Sequence, residues 1–135
     1  MMEVKMINPA SLNKPQGYAH AMLVSGGKML YIAGQVPWTQ AGRCVAPGDI
    51  VKQFEQTMSN LQACCKEVGA KMTDIVLLRI FVTDKKLYKA HNKDLGAIYQ
   101  RYFGRYYPAI TLVQIVELWD EQNMVEIEAM AVLPA

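Results

Sequence analysis

The stretch from Pro108 to Pro134, PAITLVQIVELWDEQNMVEIEAMAVLP, limits what this chain can fold into, because it holds two runs of alternating apolar residues joined by one polar loop. Successive side chains along a strand point to opposite faces, so the pattern predicts a strand, a turn and a strand. In the first run Ile110, Leu112, Gln114 and Val116 share one face, and Thr111, Val113 and Ile115 share the other. In the second run Glu126 and Glu128 share a face of an otherwise apolar strand. Two carboxylates are costly to bury without partners, so their face is expected to meet water, a partner subunit or a ligand.

A chain of 135 residues, 52% hydrophobic and 19% charged, has enough apolar material for one core, and residues 1–135 read as a single domain. The net charge of +2 is spread from Lys5 to Arg105 without a long basic run, so the electrostatic footprint of a nucleic-acid binder is weak. Cys44, Cys64 and Cys65 are odd in number and lack CxxC spacing, and the adjacent pair suits neither a mutual disulfide nor zinc chelation. A reducing cytoplasm and no bound metal are expected. The opening MMEVKMINPASLNKP has no basic start followed by an apolar core, and no run approaches the roughly 20 apolar residues of a membrane helix. Neither a leader nor a membrane anchor is expected.

Along the chain, Val4 to Ile7 suits a short edge strand that Asn8-Pro9 closes. Tyr18–Val24 and Lys28–Gln35 are strand-like and flank Ser25-Gly26-Gly27, which predicts a β-hairpin. Thr39 to Gly48 is a loop. Asp49 suits an N-cap and Gly69 a C-cap, bounding a helix from about Asp49 to Val68 whose stripe is Ile50, Phe54, Thr57, Met58, Leu61, Cys65 and Val68. Cys65 therefore reads as core rather than nucleophile. Asp74 to Thr83 reads as an inner strand interrupted by Arg79, which reaches either solvent, an interface or an anion. Lys85 to Asp94 is polar, and His91 in it reads as a loop or helix-start residue. Leu95, Ile98, Tyr99, Tyr102 and Phe103 mark a second helix ended by Gly104. The order implies an α+β fold with two helices on one face of a mixed sheet. The bare face is expected to pack against copies of the chain.

Gly17-Tyr18-Ala19-His20-Ala21, Tyr31-Ile32-Ala33-Gly34-Gln35-Val36-Pro37, Asn60-Leu61, Phe81-Val82-Thr83-Asp84, Pro108-Ala109 and Val125-Glu126-Ile127-Glu128-Ala129, in this order and spacing, resemble the RidA/YjgF/YER family of reactive-intermediate deaminases. The resemblance covers nearly the whole chain. It implies a homotrimer of chorismate-mutase-like fold with clefts at its subunit interfaces. Active members hydrolyse enamines or imines of 2-amino acids to 2-keto acids and ammonia there, without a cofactor. Such a site uses a guanidinium to pair the substrate carboxylate, a carboxylate to move protons or orient water, and backbone groups to hold the ligand. By resemblance Tyr18, Gly34, the residue after Pro108-Ala109, and Glu126 carry these roles, with Glu126 the catalytic group.

Where the resemblance implies arginine after Pro108-Ala109, this chain has Ile110. An isoleucine offers no charge and no donor, and losing a charge-assisted bidentate pair costs on the order of several kcal/mol. Leu112 stands where a cysteine is frequent in the family, and Gly96 where the second helix usually has asparagine; Asn92 lies close by. The cleft is thus expected to be more apolar, with Ile110 and Leu112 on one strand face. It suits a ligand without a carboxylate, or with one placed elsewhere. The expected function is binding or hydrolysis of a small nitrogen-containing metabolite with weak or lost 2-imino acid deamination. The alternatives are a deaminase whose anion anchor is Arg79, Arg105 or His20, and a non-catalytic regulatory or chaperone-like trimer. RNA cleavage fits poorly, since the chain lacks paired histidines for acid-base attack on a phosphodiester and a basic groove laced with aromatics. Trp38, beside a proline turn, suits either the cleft mouth or an exposed loop.

Overall fold

The computed structural model describes residues 2–135. In chain order it contains β1 (Glu3–Ile7), β2 (Ala21–Ser25), β3 (Lys28–Gln35), α1 (Ile50–Glu67), a 3-10 turn (Met72–Asp74), β4 (Ile75–Val82), α2 (Lys85–Ala90), α3 (Asn92–Phe103), β5 (Ala109–Gln114) and β6 (Val125–Leu133). Strands β3, β6, β4 and β5, in that spatial order, form a mixed sheet in which β4 and β5 run parallel and the other pairs antiparallel. The α+β class and the mixed sheet agree with the sequence.

Helix α1 starts where the Asp49 carboxylate accepts from the Lys52 backbone N–H at 3.0 Å. It ends at Gly69, whose φ of 75° is the left-handed conformation that releases the chain. Its stripe is buried: Phe54, Met58, Leu61 and Cys65 are at most 1% exposed, and each large apolar side chain contributes about 1.5–3 kcal/mol by leaving water. Burial also pushes the Cys65 thiol up to about 11, as suits a core residue. Val68 departs from the expected stripe. As the C-cap residue it is 49% exposed, because the helical backbone turns away there.

Leu95, Ile98, Tyr99 and Phe103 of α3 join α1 in one core with Ile32, Leu78, Ile80, Val82, Val125, Ile127 and Ala129. The register pairs Leu78 with Ala129, Ile80 with Ile127 and Val82 with Val125, so these residues share the helix-covered face. The opposite face carries Glu126, Glu128, Arg79, Phe81 and Tyr31, and no helix of the described residues packs on it.

Three expectations need correction. The predicted hairpin does not form: β2 pairs with β1, from Glu3↔Ser25 to Ile7↔Ala21, while β3 pairs with β6. Gly26 and Gly27, with φ of 70° and 76°, carry the chain from one sheet to the other. A Cβ on Gly27 would lie 2.8 Å from the Leu133 carbonyl oxygen, so the chain passes tightly against the end of β6. Strand β2 also begins at Ala21 rather than Tyr18, because Ala19 instead bridges to Ala109 at the edge of β5. Finally, the polar stretch before α3 contains a third helix, α2, which Asp84 caps by accepting from the Leu87 N–H at 2.9 Å. Leu87 and Tyr88 hold it against the core. His91 is the junction between α2 and α3.

The loop between β5 and β6 is a crossing, since β4 lies between those strands. It is tied down from α1 by Gln53, which is fully buried. The Gln53 amide donates to the carbonyls of Ala46 and Gln122 at 3.3 and 3.0 Å, and its oxygen accepts from the Met124 N–H at 2.7 Å.

Candidate functional site

The predicted site residues fall into two groups on opposite sides of the sheet. Parallel pairing sets Ile110 beside Leu78 and Leu112 beside Ile80, which places both on the helix-covered face. There they line a cavity of about 630 Å³ together with Tyr18, Asn92, Gly96, Tyr88, Tyr99 and Tyr107, among others. Tyr18 reaches it because the Ala19 N–H donates to the Pro108 carbonyl at 2.8 Å, drawing the segment alongside β5. The Tyr18 hydroxyl accepts from the Asn13 amide at 2.9 Å and keeps its own hydrogen for another partner. His20 packs edge-on to the Tyr18 ring at 5.3 Å, and its Nε2 lies 2.8 Å from the Asn13 carbonyl.

Every residue lining this cavity is uncharged. Ile110 is half-buried against the core, and none of Arg79, Arg105 and His20 lines the cavity. The Tyr88 and Tyr99 hydroxyls on its wall remain protonated at neutral pH. Burial pushes Tyr88 up to about 12, and burial followed by the neighbouring tyrosines raises Tyr99 well above the ordinary phenol range. Tyr99 donates to the Tyr106 carbonyl at 2.7 Å and stacks on Tyr107 at 5.1 Å. The wall therefore consists of aromatic faces, aliphatic side chains and the amides of Gln16, Asn92 and Gln100.

Glu126 and Gly34 form the second group. Between Ile32↔Ala129 and Gln35↔Ile127 the strand β3 has one residue more than β6, a bulge at Ala33-Gly34. The Glu126 carboxylate lies directly over Gly34: a Cβ there would stand 1.9 Å from Glu126 Oε2. Gly34 thus leaves the room that the carboxylate occupies. It also borders a hollow of about 430 Å³ with Gln35, Val36, Trp38 and Asn60. The Asn60 amide donates to the Val36 and Trp38 carbonyls at 2.9 and 3.1 Å, fixing the backbone after the bulge. Trp38 is half-buried and donates to the Asp120 carboxylate at 3.0 Å.

Partial burial first, and the neighbouring Glu128 charge second, raise the proton affinity of Glu126 above that of a solvated glutamate. Glu128 itself pairs with Arg79 at 3.0 Å. Both partners are well exposed, so the pair is worth at most about 1 kcal/mol, yet it occupies the arginine nearest in register. Within one chain Glu126 and Ile110 do not meet.

Tyr88, Tyr99, Tyr107, Gln16 and Gln100 line the cavity without a signal in the sequence that marks them as cavity residues. Tyr99 falls in the apolar stripe of the second helix and Tyr88 in a polar segment, and nothing in their spacing distinguishes a core aromatic from a cavity wall. Asn92 was the one legible signal, one helical turn before Gly96. Both residues line the cavity, and a Cβ on Gly96 would meet nothing within 4 Å. Among the described residues no group of three or more His, Cys, Asp or Glu is placed to hold a metal ion.

The family model described as Endoribonuclease L-PSP matches residues 9–133. The chain belongs to the RidA/YjgF family. Protein DfrA of Myxococcus xanthus is 36% identical over 115 residues, covering 85% of this chain and 84% of that protein. The 2-iminobutanoate/2-iminopropanoate deaminase of Capra hircus is 30% identical over 115 residues, covering 85% of this chain and 79% of the relative. Among solved structures, the Rid-family protein YyfB of Yersinia pestis superposes with a TM-score of 0.82 at 30% identity, covering 96% of this chain and 98% of YyfB. The fold expected from the sequence motifs is therefore that of the family. No helix of the described residues is long and apolar enough to cross a membrane.

Proposed function

We propose that this chain forms a homotrimer through its open sheet face and binds a small nitrogen-containing metabolite in a cleft at each interface, with weak or no ordinary 2-imino acid deaminase activity. Each cleft would join the Tyr18, Ile110 and Leu112 side of one copy to the Gly34 and Glu126 side of the next. Two features support that assembly. The two groups sit on opposite faces of one chain, so only a second copy can bring them together. The open face also exposes Met29, Tyr31 and Val113 at 43%, 69% and 42%, apolar surface that gains by being covered.

The decisive observation for the activity is the uncharged cavity wall, with Ile110 where the deaminase motif implies arginine. Hydrolysis of a C=N bond adds water to the carbon and releases ammonia. Glu126, with its raised proton affinity, suits the proton transfers of that reaction. What is missing from the cavity wall, beside Ile110, is a cation to hold the carboxylate of a 2-imino acid. A neutral ligand body instead finds aromatic faces and amide groups. The Capra hircus relative is named for its imino acid substrates, which makes the comparison direct.

Ammonia release from freshly generated 2-iminopropanoate, measured with wild type and Ile110→Arg, tests this. Wild type is expected to run close to the uncatalysed rate, and the substituted protein to gain one or more powers of ten if the guanidinium reaches the cleft. Robust wild-type turnover would overturn the assignment.

A further inference from the structure

Beside the tyrosine-walled cavity lies a second hollow of about 680 Å³, and the two share Tyr88, Asn92 and Leu112 as walls. The rest of the outer hollow's lining is Lys85 and Lys89. These lysines stand four residues apart on α2, so they leave the helix on one side. The two ion pairs among the described residues, Arg79–Glu128 and Arg101–Glu55, involve neither of them. Two ammonium groups without carboxylate partners thus border the outer hollow, while the inner one is uncharged.

We propose that the joined hollows take a small nitrogen-containing aromatic acid, its ring inside among Tyr88, Tyr99 and Tyr107 and its carboxylate outside at Lys85 and Lys89. This rests on the cavity being a metabolite site, and it names the ligand class. The ring is favoured because tyrosine side chains form much of the inner wall and aromatic edges and rings pair well with another ring, and because Gly96 has no side chain to fill the space. The acid group belongs outside because a carboxylate placed among uncharged walls would lose its hydration without a counter-charge. The two lysines on α2 would then hold an acid group placed elsewhere than beside Ile110, where the deaminase motif has its arginine. Both lysines are exposed, so their attraction is screened and their effect on affinity is modest.

Calorimetric titration of the intact protein with phenylacetate and with its neutral isostere phenylacetamide, at low salt, tests the assignment. Wild type is expected to bind the acid about fivefold more tightly than the amide. The double variant Lys85→Met with Lys89→Met, altered only at exposed positions, is expected to bind both alike. Equal binding of the two probes by wild type, or a preference for the acid that survives both substitutions, would overturn the lysine anchor and leave the cavity as a ligand site. Failure of both probes to bind at millimolar concentration would overturn the anchor and count against the cavity as well.

Discussion

Replacing Gly34 by alanine isolates what the close approach of Glu126 contributes. The new Cβ would fall 1.9 Å from Glu126 Oε2, 2.7 Å from Cδ and 2.9 Å from Cγ. Ordinary contact between such atoms is about 3.5 Å, so the carboxylate must retreat by roughly 1.5 Å. The obstructing atoms belong to the end of a flexible side chain, and an off-rotamer glutamate costs about 0.5–1.5 kcal/mol. Against that, removing a glycine from the end of a strand returns about 0.5–1 kcal/mol by reducing the freedom of the unfolded chain. Net stability should therefore change by less than about 1 kcal/mol, while the carboxylate leaves its place beside the bulge. Urea denaturation would report the first effect. A carbon-detected NMR titration of Glu126 would report the second as a pKa moving back toward that of a solvated glutamate. A raised pKa retained in Gly34→Ala, with the protein folded, would refute the assigned position of the carboxylate.

Glu126→Gln should alter the pH dependence of stability in a fixed direction. The folded pKa is raised, so the native state holds more protons than the unfolded state between the two values. Wild-type stability accordingly falls as pH rises from about 4.3 through the folded pKa. Chemical denaturation across that range should show the variant gaining on wild type as pH rises and levelling off above it; a flat difference would contradict the shift. Gly96→Ala should stabilise the fold by up to about 1 kcal/mol, because it replaces an interior helical glycine where the added methyl meets open space, and a lower urea midpoint would count against that. Gln53→Ala should cost about 3 kcal/mol by thermal or urea unfolding, since it leaves the Met124 N–H and two carbonyls without their buried partner.

The strands and the long helices were legible because each has one apolar face whose period survives in the sequence: Phe54, Met58, Leu61 and Cys65 in α1, and Val125, Ile127 and Ala129 in β6. Strand partners were less legible. Gly26-Gly27 fits a hairpin turn by local chemistry alone, and it is the burial of β6 between β3 and β4 that assigns β3 elsewhere. Helix α2 has only six residues and no fully buried side chain, so its periodicity could not emerge from so polar a segment. For the site, alternation along β5 put Ile110 and Leu112 on a common face, and the motif after Tyr31 picked out Gly34. That Glu126 faces the other side follows from the register of β4 with both neighbours, a relation between segments that no single segment encodes.

A crystal structure of the assembled protein would measure the separation of the Glu126 carboxylate in one copy from Ile110 in its neighbour. The expected arrangement is three copies joined by their open sheet faces, with that carboxylate opening onto the neighbour's uncharged cavity. A monomer in solution, or an assembly that leaves Glu126 facing solvent away from Ile110 of every other copy, would contradict it.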